Sequence, residues 1–254
     1  MKYTPRVIIN YIVFSFLFMS ISIVFGRGAL IGTENKITNI ANMTSAREDV
    51  QPPVFIIDPG HGGEDGGAEG SGVLEKELNL KISKSLYDIC TIFGYKADLT
   101  RNKDTLLYDH FGDLSNYRGK KKTYDLRNRI RIAEESGSEL YIGIHMNKFP
   151  KEQYRGLQVY YSGNTESSKD AAILIQSYAK KYIMPENNRE IKKATNAIYI
   201  LNRIKIPAVL IECGFLSNPD ECAALKTPEY RLKLASVIFA SSSEYKASTI
   251  EKQA

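Results

Sequence analysis

Two histidines and two glutamates stand where a buried strand gives way to a loop or where a helix begins. His61 lies in the glycine-rich stretch DPGHGGEDGG, residues 58–67, directly after the apolar run that ends at Asp58. His145 ends ELYIGIH, residues 139–145, and Glu212 lies next to the end of PAVLIEC, residues 207–213. Glu75 opens a segment of helical period. At about 100° per residue, Leu78, Ile82, Leu86, Ile89 and Phe93 all fall within about 60° of its direction. Glu75 is therefore at the middle of the apolar stripe, on the first turn, while Glu77, Lys81, Lys84 and Asp88 point away. A carboxylate turned toward a core is costly unless something pairs with it. A helix N-terminus relieves part of that cost, and a cation relieves more. Asn79 also faces inward, placed to hydrogen-bond the glycine loop.

Two neutral imidazoles and one carboxylate are typical ligands of a catalytic zinc, which keeps a fourth position open for water. His61, Glu75 and His145 form such a set, with Glu212 as an unliganded carboxylate beside it. Blander readings stay open residue by residue. A histidine can be a satisfied polar group, an acid on a first helical turn can be a dipole partner, and an acid after a strand can cap a loop. What favours a site is the coincidence at strand ends. Parallel sheets collect functional groups at the carboxyl ends of their strands, which converge here provided the strands are neighbours.

The elements that must position these groups alternate. VFIID (54–58), YKADLT (95–100), ELYIGIH, GLQVYYS (156–162), AIYIL (197–201) and PAVLIEC read as strands. Residues 75–93, 124–136 and 168–183 read as helices, and two more are opened by Asn218-Pro219 and Thr227-Pro228, proline being tolerated in a first helical turn. The alternation predicts an α/β fold: one domain over 53–246 with a mostly parallel central sheet flanked by helices, then a tail at 247–254. A polar insertion, 101–123, carries Lys120-Lys121-Lys122, either a solvated surface or a patch for an anionic polymer. Arg101 is a candidate for a substrate carboxylate, or for pairing with a neighbouring acid. Asn79 and Asn147 are the other candidate substrate contacts.

Residues 7–25, VIINYIVFSFLFMSISIVF, contain no charge and follow Lys2 and Arg6. As a helix they span roughly 28 Å, close to the ~30 Å hydrocarbon core of a bilayer. They predict a transmembrane signal anchor with residues 1–6 in the cytoplasm and 26–52 as a linker. A cleaved signal peptide is the alternative. Both place the domain outside the cytoplasm. The net charge of +5 includes Lys2, Arg6 and Arg27, with no acid before residue 30, so the remainder is nearly balanced. Export and this weak charge argue against nucleic-acid binding. Three cysteines, Cys90, Cys213 and Cys222, form no C-x-x-C pair and predict neither a disulfide framework nor a thiolate zinc site.

DPGHGGEDGGAEG, GVLEKELNL, IGIHMN and PAVLIECGFLSNPDE, in this order, resemble the zinc-dependent N-acetylmuramoyl-L-alanine amidases. The resemblance runs from about Val54 to Tyr245. It implies Zn2+ held by His61, Glu75 and His145, and Glu212 as the catalytic carboxylate. It also implies hydrolysis of the amide between N-acetylmuramic acid and L-alanine on peptidoglycan glycan strands with stem peptides. Where the family usually has Ser-x-His-x-Asn-Ala, this chain has Gly143 and Lys148; neither change removes a ligand, but both bear on what surrounds the ligands and hence on zinc retention. The insertion and the single catalytic domain behind an anchor resemble the sporulation branch required for germination. That branch implies work on spore cortex before muramic δ-lactam formation, in the space between forespore and mother cell. The insertion around Tyr117-Arg118-Gly119 is either a contact for glycan or for an activating protein partner, or a plain solvated loop. A conditionally active or non-catalytic peptidoglycan binder is the rival function. An exported metallo-carboxypeptidase is a third, needing a carboxylate clamp that the sequence does not identify.

Overall fold

The computed structural model describes residues 54–253 apart from residue 116. The expected cytoplasmic terminus, membrane anchor and linker (1–6, 7–25, 26–52) lie outside the described residues. Among those described, no helix is long and apolar enough to cross a membrane. The chain runs β1 (Val54–Pro59), β2 (Glu69–Gly70), β3 (Val73–Leu74), α1 (Glu75–Ile92), β4 (Lys96–Leu99), α2 (Lys121–Glu135), β5 (Leu140–Asn147), β6 (Gln158–Tyr161), α3 (Ser167–Tyr182), β7 (Lys192–Lys193), β8 (Ala208–Phe215), α4 (Pro219–Lys226) and α5 (Pro228–Gln253).

The central sheet has the order β4-β1-β5-β8-β6-β7. β4, β1, β5 and β8 are mutually parallel, as the alternation predicts. β6 departs from it, lying antiparallel to β8 and parallel to β7. The decisive neighbour relation holds: β1, β5 and β8 are adjacent, so their carboxyl ends share one edge. On one face Ile57, Ile142, Ile144 and Ile211 pack with Leu78, Ile82 and Leu86 of α1 and with α3 and α5. Burying each such aliphatic side chain is worth about 1.5–3 kcal/mol. On the other face Ile56, Tyr141 and Leu210 meet Ala133 of α2 and Ile200, Leu201 and Ile204.

Residues 197–201, expected as a strand, form successive turns. Ile198 and Asn202 donate to carbonyls three and four residues back, at Thr195 and Ile198. A short apolar run fits a buried turn as well as a strand; here it covers the second face of the sheet. Two further boundaries differ. α5 continues to Gln253 through the expected tail, and Phe93, expected on the core stripe, follows the last residue of α1 and is 65% exposed. The three cysteines are buried and free.

Beneath the glycine loop lies a buried ion pair. Arg129 of α2 donates to Asp58 Oδ1 at 2.6 Å, to Asp125 Oδ2 at 2.8 Å, and to the carbonyls of Pro59 and His61 at 2.8 and 2.7 Å. Asp58 also accepts from Thr100 and, at 2.5 Å, from Tyr141. Burial pushes the Asp58 carboxyl up, but Arg129 and the two hydroxyls hold it below the usual carboxylate range. Asp58 is thus the strut of the loop rather than part of the site. Removing one member of such a pair strands the other. Arg129→Ala is expected to lose about 3–5 kcal/mol of stability in urea denaturation; a loss under 1 kcal/mol would remove this strut from the account.

Candidate metal centre

α1 starts where the glycine loop ends. Leu74 offers no side-chain cap. The first N–H groups of the helix bond instead to loop carbonyls, Glu75 to Ala68 at 2.8 Å and Lys76 to Gly66 at 3.2 Å. The Glu75 side chain returns the contact, its Oε2 accepting from Ala68 N–H at 2.8 Å. Its Oε1 accepts from Met146 N–H on β5 at 3.0 Å and from Asn79 at 3.4 Å. Two main-chain donors from different elements therefore fix one carboxylate that is only 4% exposed.

That same Oε1 lies 3.3 Å from His61 Nε2 and 3.0 Å from His145 Nδ1. Burial raises the Glu75 pKa, but hydrogen bonding to His145 and His61 overcomes it and holds the group far below the carboxylate range. One ligand atom from each of His61, Glu75 and His145 lies within 4.8 Å of the others. Two ligands about 2.1 Å from a tetrahedral zinc stand roughly 3.4 Å apart, so the observed spacings fit such an ion. Gly60 and Gly67 make room for the cluster. A Cβ at Gly60 would meet the His145 ring at 2.2 Å, and one at Gly67 would meet Glu75 Oε2 at 2.5 Å. His61 reaches its place through a left-handed backbone, φ 62°, which costs a non-glycine residue roughly 1–2 kcal/mol.

Glu212 pairs with His145 across β5 and β8 and with Gln158 across β8 and β6. Paired residues on neighbouring strands are about 4.8 Å apart with side chains on one face. The β5–β8 register shifts immediately afterwards, Asn147 pairing with Phe215. Such a bulge redirects the side chains beside it. Glu221 secures it, accepting from Phe215 N–H at 2.8 Å and Gly156 N–H at 2.9 Å, while Asn218 caps α4. Glu212 Oε2 is buried with no hydrogen-bond partner among the described residues. Burial, with a contribution from Glu75, pushes its pKa up to about 7 against the opposing pull of His145, His61 and Arg189. An orphaned carboxylate oxygen beside an N, N, O cluster is what an ion and its water would satisfy.

The expected substrate contacts fare differently. Asn79 is fully buried and donates to Gly60 O at 3.1 Å, so it braces the loop and is out of reach of a substrate. Arg101 is 3% exposed, and its four hydrogen bonds end on the carbonyls of Pro59, Gly60, Lys76 and Lys103. It neither faces solvent nor donates to an acid. It holds the loop's main chain. Asn147 is partly exposed at the end of β5. Gly143 gives way to Tyr141, whose ring would crowd a Cβ there at 3.2 Å and whose hydroxyl reaches Asp58. Lys148 is exposed. Sequence reasoning missed Arg129 and the Gln158–Arg189 pair, 2.8 Å apart, beside Glu212. The register of β6 on β8 was the signal that no linear motif carries. A groove beside His145 is lined by Lys122, Leu126, Ile198, Tyr199 and Leu210.

The family model described as N-acetylmuramoyl-L-alanine amidase matches residues 55–241. The germination-specific N-acetylmuramoyl-L-alanine amidase of Bacillus subtilis is 36% identical over 186 residues, 73% of this chain and 76% of that one. The CwlD amidase of Clostridioides difficile, solved in complex with the GerS lipoprotein, superposes with a TM-score of 0.71 at 35% identity, covering 77% of this chain and 98% of that one. An N-acetylmuramoyl-L-alanine amidase from Clostridium difficile 630 gives 0.67 at 28% identity over 78% of this chain and 98% of that one.

Burial pushes the Glu212 carboxyl up to about 7 from an ordinary 4.5. Between those values the folded protein holds a proton that the unfolded chain has lost, so this group's contribution to stability falls as pH rises through the window. Metal-free Glu212→Gln has no such titration. It should be more stable than the metal-free parent above pH 7, by up to about 3 kcal/mol, with the gap closing toward pH 4.5. Parallel melting curves from pH 5 to 8 would contradict the raised pKa.

Proposed function

Because this chain belongs to the N-acetylmuramoyl-L-alanine amidase family, we propose that it cuts the amide joining the lactyl group of N-acetylmuramic acid to L-alanine, with His61, Glu75 and His145 holding zinc and Glu212 as general base. Amidase activity on peptidoglycan is the coarse function that the family carries. The observation that carries the assignment of roles is the convergence of His61 Nε2 and His145 Nδ1 on Glu75 Oε1, at 3.3 and 3.0 Å, with Glu212 on the adjacent strand position.

A zinc ion held by His61, Glu75 and His145 would supply Lewis acidity to acidify water and polarise the scissile carbonyl. The chain's own residues do the rest. Ala68 and Met146 N–H hold the Glu75 carboxylate in one orientation. Glu212 takes a proton from the attacking water on its unpartnered Oε2 and returns it to the leaving amine of L-alanine. A base with a pKa near the working pH suits both halves of that transfer. The non-catalytic alternative draws on Gly143 and Lys148, and neither position supplies a ligand atom.

The finer setting is spore cortex, with stem peptides removed from muramic acid ahead of δ-lactam formation. Similarity to the germination-specific amidase supports it. The uncharged run at 7–25 supports an extracytoplasmic enzyme tethered to a membrane, between forespore and mother cell. The relative solved with a lipoprotein supports a protein partner for this chain.

Digestion of purified peptidoglycan followed by mass spectrometry should show new L-alanine amino termini and peptide-free muramic acid; release of D-alanine instead would replace the amidase by a carboxypeptidase. Glu212→Gln should keep zinc while turnover falls roughly 10²–10⁴-fold, whereas near-normal rates in that variant would exclude Glu212 as the base. His61→Ala and Glu75→Ala should lose zinc by elemental analysis, and full occupancy in either would contradict the ligand set.

A further inference from the structure

We propose that Asp65 is the positioning residue for His61, and that α2 steadies Asp65 through Lys122, so that cation retention depends on the far end of the 101–123 insertion. This rests on the ligand assignment above. His61 turns Nε2 toward Glu75 and Nδ1 toward Asp65 Oδ1, 3.0 Å away. Nδ1 is buried and makes no aligned hydrogen bond of its own, so Asp65 is the group in place to accept its proton. An imidazole that binds a cation through Nε2 carries that proton on Nδ1, and a carboxylate facing it fixes both the tautomer and the ring plane.

Asp65 is itself held. Its main chain exchanges two hydrogen bonds with Gly62, at 2.9 and 3.0 Å, closing a tight turn directly after His61. Its Oδ1 accepts from Gly67 N–H at 3.3 Å, and its Oδ2 lies 3.5 Å from Lys122 Nζ. The preceding acid is tied the same way, Glu64 accepting from Lys121 Nζ at 2.7 Å. The start of the insertion grips the same turn. Asp104 accepts from Gly63 N–H at 2.7 Å, and Lys76 bridges Gly63 O and Asp104 at 2.7 and 2.8 Å. A Cβ at Gly62 would strike Thr105 O at 2.3 Å, so the insertion lies directly on the loop. The lysines that read as a solvated run or an anionic-polymer patch thus serve in part as internal ties.

The test measures zinc affinity of the full-length chain by competition with a chromophoric chelator, alongside a thermal melt of each metal-free variant. Asp65→Ala should bind zinc roughly 10–100-fold more weakly. Asp65→Asn, which keeps acceptors for Nδ1–H and Gly67 N–H, should recover most of that loss; a merely structural role would show no such graded rescue in affinity at equal melting temperature. Lys122→Ala should weaken binding by about 2–5-fold, with the difference shrinking in added salt, as suits an exposed pair. Parental affinity in Asp65→Ala overturns the role of Asp65, and parental affinity in Lys122→Ala overturns the tie to α2. If Asp65→Ala does not fold, Asp65→Leu, of similar size and without an acceptor, decides: affinity at least several-fold below the parent supports the proposal, and an unchanged affinity overturns it. His61→Ala separates the two layers. If it still binds zinc, the ligand assignment itself fails; if it loses zinc while Asp65→Ala keeps it, only the present inference fails.

Discussion

The Glu75 carboxylate is the contact on which the rest depends. A charged group with 4% exposure at the start of a core helix is unfavourable alone. Here it gathers two main-chain N–H groups, one from the glycine loop and one from β5, and two imidazoles. The first turn of α1, the loop after β1 and the end of β5 are locked together at one point. The helix N-terminus lies behind the carboxylate and favours its charge. A site built this way is rigid because each partner comes from a different element, and none can move without exposing an unpaired polar group.

The glycines of the loop answer to two different neighbours. Gly60 and Gly67 are bare because the His145 ring and the Glu75 carboxylate occupy the space a side chain would take. Gly62 and Gly63 are bare because residues 105 and 106 of the insertion lie against them. Two buried guanidiniums, Arg101 and Arg129, then satisfy the carbonyls of Pro59, Gly60 and His61 from below. The loop is glycine-rich yet fully tied, and its compactness lets His61 hold a left-handed backbone.

Glu212 is presented by a different device. The register shift between β5 and β8 follows it directly, and Glu221 and Asn218 of the GFLSNPDE stretch stabilise the departing chain. That stretch is therefore structural support for Glu212, two positions upstream of it. Gly143 has a comparable explanation. The space its missing side chain leaves is taken by Tyr141, whose hydroxyl bonds Asp58, so a departure from the family's usual serine is absorbed within the Asp58–Arg129 network.

Much of this was legible in the linear chain. The strand ends carrying His61, His145 and Glu212, and the inward face of α1 carrying Glu75, follow from periodicity, because a helix or strand repeats its burial at a fixed spacing. Motif order then identified the family. What linear spacing could not show was anything set by contacts between distant segments. Asn79 keeps the inward-facing, loop-bonding place that its helical position gives it, whereas Arg101 looks like a free cation in the sequence, yet burial turns it onto loop carbonyls. AIYIL has strand composition, yet forms turns because its task is to cover the sheet. β6 reverses direction, and Arg189 comes to lie beside Gln158 next to Glu212. Local pattern decides which face of an element is buried; only the packing of elements decides which buried polar groups meet, and that meeting turns three separated side chains into one centre.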